Sequence, residues 1–490
     1  MRSKVILINP RFTEEVTLFN LPIGILHLGS WLMKNGYEVK VIDALHSKNQ
    51  SEFSMKLSQE LDDAICVGLS VISTQIPSAL MITGSVKAVN RNIPVIWGGA
   101  HPTLYPEQTA ASELVDFVVA GEGEQPLLKI LSALGSGTKI GKIVQSEDSI
   151  KMDELPWISP ELVGDISPDM TLKKITEKTM YGFPILTGMG CPYHCTFCMN
   201  SVIDQKYKRR SATNILDNIQ ALAKNYAIER IWFVDENFFG DKRRAKEFVD
   251  GTLNRELKFK WFSGGRTTYF RDNYLGSEEF LNKVKESGCQ VMGTGAESGS
   301  QRILDMVCKG TKVWDTINMA EKVSKSGMIA NFSFMIGLPT ETKAEYKMTL
   351  KLIDQIVKID PRFYIFGPQI YRPYPGSVLY NECLKYGMKK PETLEEWADS
   401  PYIHFEFSKK SHFSKELYPW VLYDKDLTEI VFYATLMGKQ PGNKIVTSIL
   451  RAIGRWRCLN FNFRFPIEKK VYGLIRGSFI EILLRRWKFV

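Results

Sequence analysis

Up to about residue 135 the chain alternates two patterns. Five short runs, at 4–9, 37–44, 64–71, 94–99 and 116–123, are β-branched and almost unbroken in apolar character, as strands buried on both faces are. Between them lie amphipathic stretches such as 25–36, ILHLGSWLMKNG, which closes on a glycine suited to a helix C-terminus. This alternation predicts an α/β fold with a doubly wound parallel sheet. Residues 136–180 are richer in Gly, Ser and Pro and read as a loosely structured linker. A second strand–helix series follows, with candidate strands at 184–190, 230–236, 260–267, 290–297, 330–337 and 362–370. Six such units predict a partial (β/α)6 barrel with its chemistry at the C-terminal strand ends. Beyond about 375 the chain reads as helical and irregular. The expected domains are 1–140, a linker at 141–180, a barrel at 181–380 and a helical region at 381–490.

Composition changes this picture little. With 44% hydrophobic and 24% charged residues in 490, the chain is globular and long enough for two or three domains. Its start lacks the apolar core of a secretory signal, and no uncharged apolar run reaches the ~18 residues that span a membrane. Eight cysteines occur, three of them within eight residues and five scattered singly. That distribution suits a reducing cytoplasm better than a disulfide framework. The net charge of +9 resides at the end: from Lys444 onward, eleven basic residues face two acidic ones.

The stretch GMGCPYHCTFCMN spaces Cys191, Cys195 and Cys198 as C-x3-C-x2-C directly after a glycine-rich strand. Thiolates are the ligands of iron–sulfur clusters, and three of them cap three corners of a four-iron cube. The uncapped iron can take the amino and carboxylate groups of S-adenosylmethionine (SAM), since an open position marks a reactive metal site. Phe197 is placed to lie against an adenine ring. The alternative is zinc, for which His194 is the only local partner and no second cysteine pair exists.

On this motif the chain resembles the radical SAM superfamily over about 180–380. The resemblance implies a [4Fe–4S] cluster on Cys191, Cys195 and Cys198, and SAM contacts at strand ends. By position, Asp235, Glu236 and Asn237 would meet the SAM amino group, with Asp235 and Glu236 equally placed. Glu297 and Ser298 would meet the ribose, and Ile336 and Gly337 the adenine. Arg266 would pair with the SAM carboxylate. As ordinary structure, Glu297 would be a solvated turn residue, Arg266 an ion-pair partner and Gly337 a turn.

The N-terminal region, with WGGAHPTLYPE (97–107) and DFVVAGEGE (116–124), resembles the cobalamin-binding domain that precedes the barrel in one radical SAM subgroup. Doubly wound sheets bind cofactors beyond the carboxyl ends of their strands. There this sequence has Ser70 and Ser73, then Gly98 and Gly99, then Gly121, Glu122 and Gly123, the glycines letting a bulky corrin or its nucleotide tail approach the backbone. Such strand ends are also ordinary in sheets of this type. The Asp-x-His-x-x-Gly signature of a histidine cobalt ligand is missing. Asp43 and His46 have the wrong spacing, so cobalamin without a histidine ligand is expected.

The resemblance implies reductive cleavage of SAM to a 5′-deoxyadenosyl radical and methylation of an unactivated carbon on a small-molecule, lipid or peptide substrate. Cyclisation, rearrangement or oxidation is the alternative, and a non-catalytic cobalamin- or cluster-binding protein the reading from another class. A reductant such as flavodoxin or ferredoxin is implied, and nucleic acid is not. Residues 371–374, Tyr-Arg-Pro-Tyr, are candidates for the substrate pocket. In the tail, 444–458 and 468–489 place apolar residues at helical spacing with Trp, Phe and basic residues. Packing on the rest of the protein is the plainer expectation, and peripheral contact with a membrane the other.

Overall fold

The computed structural model describes residues 4–12, 21–46, 50–146, 149–166, 182–203, 206–273, 275–401, 418–423, 425–440 and 444–469. Two compact units emerge, one of 1–191, 199–235 and 389–411, the other of 192–198, 236–388 and 412–490.

The first unit holds a six-stranded sheet of β1 (Lys4–Asn9), β2 (Glu38–Asp43), β3 (Ala64–Ser70), β4 (Val95–Gly98), β5 (Phe117–Ala120) and β6 (Ile143–Gln145). Its order is β2-β1-β3-β4-β5-β6, and every pairing is parallel. Near-continuous burial of β1 and β3 explains their unbroken apolar runs. Direction reverses at β1, whose two neighbours are β2 and β3, so a crevice opens at the carboxyl ends of β1 and β3. The helix Ile23–Lys34 covers one face and stops at Asn35, after which Gly36 takes φ +86°. Trp31 Nε1 donates to the Glu124 carbonyl, 3.1 Å away.

The stretch expected to be a loose linker is ordered over much of its length. β6 joins the sheet edge. The helix Pro160–Ile166 carries Asp165, which accepts from Val41 N at 3.2 Å and Lys40 Nζ at 2.8 Å. Ile150, Met152 and Leu155 form a small buried cluster against Trp31 and Met189. Scattered single apolar residues anchor this segment, so no periodicity announced it. Residues 167–181 lie outside the described residues.

The first unit also holds β7 (Phe183–Ile185) beside β10 (Arg230–Phe233), and the second unit holds β11 (Lys260–Gly264), β12 (Cys289–Glu297), β13 (Ile329–Ile336) and β14 (Tyr364–Ile370), in the order β14-β13-β12-β11. β7–β10 and β11-β12-β13-β14 pair in parallel. The end of the first candidate strand instead forms β8 (Gly188–Met189), antiparallel to β9 (Lys208–Arg209). β13 alternates buried and half-buried positions while helices such as Lys343–Ile359 lie between strands. This is the expected βα series. The C-terminal region is helical, with Val378–Lys385, Leu394–Asp399, Leu427–Met437 and Lys444–Asn460. No described helix is long and apolar enough to cross a membrane.

Candidate active site

In the second unit the loop 192–198 is held by backbone hydrogen bonds, one within it and one to Val307. Cys198 N donates to the Cys195 carbonyl at 3.0 Å, and Thr196 N to the Val307 carbonyl at 3.1 Å. Cys195 is buried and Cys198 half-buried; Cys191, at the end of a first-unit segment, is half-buried as well. By contrast Cys66, Cys289, Cys383 and Cys458 are buried thiols whose acidity burial suppresses, Cys66 being pushed up to about 12. Such thiols stay protonated and inert.

Arg266, at the end of β11, is 7% exposed and reaches this loop. Its guanidinium stacks on Tyr193 at 3.7 Å from the ring centre, and Nη1 donates to Cys195 Sγ at 3.6 Å. Among the described residues its Nε is buried without a partner. Tyr269 OH donates to Tyr193 OH at 3.3 Å and accepts from Asn237 Nδ2 at 2.8 Å. Asn237, Tyr269, Tyr193, Arg266 and Cys195 thus form one chain of contacts. The tyrosines escaped the sequence reading, since Tyr193 is legible only as a residue inside the cysteine loop.

Glu297 ends β12 in the left-handed region, φ +61°, and is 6% exposed. Its Oε1 accepts from Lys309 Nζ at 2.8 Å, and the same ammonium lies 5.8 Å from the Phe197 ring centre. The carboxylate folds back over Gly295, where a Cβ would fall on Oε1. Gly295 is therefore glycine to make room. Lys309 also escaped the sequence reading, being a lone cation twelve residues downstream. Ser298 is fully buried and shares a contact of 3.2 Å with Thr349 Oγ1, which anchors the strand end to the helix Lys343–Ile359. Gly337 has φ +76° and its carbonyl accepts from Trp420 Nε1 at 3.1 Å. Nearby Glu341 is fully buried; it accepts from Leu338 N at 3.1 Å, and burial pushes its carboxyl up to about 8. Of the paired candidates at the end of β10, Glu236 is exposed. Asp235, in the first unit, accepts from Thr187 N at 2.7 Å and Thr187 Oγ1 at 2.6 Å, fastening β7 to β10. Tyr371 is buried and Tyr374 half-exposed.

In the first unit a cavity of about 240 Å³ opens at the carboxyl ends of β1, β3, β4 and β5. Ser70, Gly98, Gly99, Gly121, Glu122 and Gly123 all line it. A Cβ on Gly121, at φ +89°, would meet nothing within 4 Å, whereas one on Gly99 would come within 2.7 Å of Val71 N. Gly121 leaves room for a ligand; Gly99 makes room for its own chain. Glu122 pairs with Lys208 at 2.8 Å. Ser73 is outside this cavity, its Oγ 3.1 Å from Nδ1 of the fully buried His101. Glu124, at the start of the helix Glu124–Ser136, also lines the cavity and has its carboxyl raised by burial. Asp43 Oδ1 accepts from Asn9 Nδ2 and Leu45 N, each at 3.0 Å. The His46 side chain and residues 13–20 of the first loop lie outside the described residues.

Residues 185–353 match the Radical SAM superfamily, and residues 13–131 the B12 binding domain. The chain therefore carries a radical SAM domain. This radical SAM enzyme carries a B12-binding domain, so its cofactors are a [4Fe–4S] cluster, SAM and cobalamin, and its chemistry needs a reductant. It is 28% identical to an uncharacterized methyltransferase of Pyrococcus horikoshii over 74% of this chain and 78% of that one. It is 25% identical to the anaerobic magnesium-protoporphyrin IX monomethyl ester cyclase of Rubrivivax gelatinosus, over 74% of this chain and 66% of that one. The fold is shared with the cobalamin-dependent SAM radical enzyme OxsB bound to aqua-cobalamin, at TM-score 0.70 and 17% identity over 98% of this chain and 76% of that one.

The residues present fit these groups. Cys195 and Cys198, tied by a backbone bond within one loop, carry thiolates of the kind that hold an iron–sulfur cluster. The Arg266 Nε, buried without a partner among the described residues, suits an anionic group of the ligand such as a carboxylate.

Proposed function

We propose that this enzyme cleaves SAM reductively and methylates an unactivated carbon of a small-molecule, lipid or peptide substrate. When bound, the cluster and SAM supply the electron and the hydrogen-abstracting radical, and cobalamin supplies the methyl group. The observation that carries the reading is the meeting in one chain of a three-cysteine loop after a barrel strand and a glycine-lined cavity at a sheet's switch point. Cys191, Cys195 and Cys198 hold the cluster. Arg266 fixes the loop through Tyr193 and Cys195 and offers its Nε–H to the SAM carboxylate. Glu297, held by Lys309, takes the ribose of SAM, and Phe197, Ile336 and Gly337 its adenine. Glu236 is better placed for the amino group than Asp235, which holds Thr187. Ser298 acts as an anchor behind this site.

The cavity lined by Ser70, Gly98, Gly99, Gly121, Glu122 and Gly123 takes one arm of cobalamin, since its volume lies below the roughly 300–1,000 Å³ of pockets for drug-sized ligands. Ser73, bound to His101, supports that wall. Domain limits near 140, 180 and 380 separate the cobalamin, linker, barrel and helical parts. The enzyme works in the cytoplasm with flavodoxin or ferredoxin as reductant, without nucleic acid. Residues 371–374 border the substrate.

The resemblance to the Rubrivivax cyclase supports a second reading, ring formation with the same cofactors. Anaerobic reconstitution with dithionite and SAM decides between them. Methyl transfer yields 5′-deoxyadenosine and S-adenosylhomocysteine in equal amounts with methylated product. Deoxyadenosine with product but no S-adenosylhomocysteine favours cyclisation, and no deoxyadenosine at all rejects both.

A further inference from the structure

The helix Lys444–Asn460 is two-faced. Gly454, Arg457 and Cys458 are turned inward, and a Cβ on Gly454 would lie 3.0 Å from Leu436 Cβ on the helix Leu427–Met437. The other face is apolar and open. Ile445 is 71% exposed, Ile449 55%, Trp456 53% and Leu459 39%, and with the exposed Ala452 they fall at helical spacing on one stripe. Phe465 and Ile467, just beyond, are 82% and 65% exposed. Monomeric proteins scatter exposed apolar residues singly; a continuous stripe marks a surface that something covers.

Charge decides what covers it. The acidic groups nearby are already engaged by cations of the same region: Asp354 by Arg455 at 2.5 Å and Lys358 at 2.8 Å, Glu468 by Arg457 at 2.8 Å, and Glu429 by Lys469 at 3.1 Å. Arg451, Arg464, Lys347 and Lys351 have no carboxylate partner within the described residues. A second copy would set this positive rim against itself, whereas an anionic surface with an apolar interior matches both stripe and rim. The helix is about 25 Å long, at 1.5 Å per residue over 17 residues, and it does not qualify as a membrane span.

We propose that this face rests on an anionic lipid bilayer, with Ile445, Ile449, Trp456 and Phe465 in the interface and the exposed Arg464 at the headgroups. The inference rests on no part of the proposed reaction and is tested without cofactors. The full chain is sedimented with phosphatidylcholine vesicles, with and without phosphatidylglycerol, at low and high salt. Wild type pellets with the anionic vesicles and is released by salt. Ile449→Asp and Trp456→Asp, at exposed positions, keep the wild-type melting temperature and each bind about tenfold or more weakly. Arg464→Glu weakens binding to anionic vesicles alone. Failure of wild type to pellet overturns the proposal, as does equal binding to neutral vesicles, or binding unaltered in both Asp variants. So does a concentration-dependent dimer that Trp456→Asp abolishes while vesicles remain unbound.

Discussion

The cavity of the first unit is shaped by main chain: glycines at the ends of β4 and β5, one of them, Gly121, with open space where a side chain would stand. The cysteine loop of the second unit is shaped by side chains. Arg266 comes from 71 residues away to meet Cys195, and Lys309 crosses to Glu297. A main-chain site tolerates exchange of the side chains around it but not added bulk; a side-chain site fails when one charge is removed. The sharpest break between them comes from the thiolates. Cys195→Ala, like either neighbour's replacement, should abolish iron–sulfur absorption, iron content and deoxyadenosine formation while leaving cobalamin uptake intact. Full iron retention would remove the loop from the chemistry.

Next in size is Lys309→Met. It strands a carboxylate that is 6% exposed, and breaking a buried pair costs about 3–5 kcal/mol. A lowered melting temperature and weakened SAM binding by equilibrium dialysis are expected, with Lys309→Arg recovering most of both. Unchanged SAM binding in Lys309→Met would leave the pair a merely structural one.

The main-chain site is probed by bulk. Gly121→Ala and Gly121→Leu share the backbone penalty of φ +89°, about 1–2 kcal/mol for a left-handed residue, but only leucine fills the cavity. Cobalamin retained after gel filtration should therefore fall about tenfold in the leucine variant and little in alanine, with iron unaffected in both. Equal loss in the two would trace the effect to strain and take the cofactor away from this cavity.

The two regions also differed in how far the sequence revealed them. Unbroken apolar runs located every strand of the first sheet except β6, whose three residues carry too short a pattern. Gly98, Gly99 and Gly121–Gly123 were visible as strand-end glycines and do line one cavity, yet sequence alone gave Gly99 and Gly121 the same role. Only the neighbouring Val71 separates them. In the second unit the three cysteines stood out by spacing, whereas Tyr193, Tyr269 and Lys309 are ordinary residues until folding brings them to Arg266 and Glu297. Asp235 shows the converse: a carboxylate at the right strand end that the fold engages with Thr187. Long-range side-chain contacts leave no local periodicity to read. The outward stripe of the helix Lys444–Asn460 was legible as helical spacing, but spacing cannot say which apolar face is the buried one.

The smallest effect concerns protons and again separates the units. His101 in the first unit is fully buried and its pKa is lowered to about 3 by desolvation, so it stays neutral at any ordinary pH. Glu341, in the turn after β13, titrates within reach. Folded, it keeps its proton up to about pH 8; unfolded, it would lose it near 4.5. Between those values folding takes up a proton, so stability falls as pH rises through the window and levels off above about 8. Glu341→Gln removes this dependence and keeps an acceptor for Leu338 N. Its melting temperature should match wild type near pH 5 and exceed it near pH 8.5, by a margin on the order of 1 kcal/mol or more, or about 2–4 °C per kcal/mol for a domain of this size. Parallel melting curves across that range would mean that water reaches the carboxylate and that the turn is less sealed than its packing indicates.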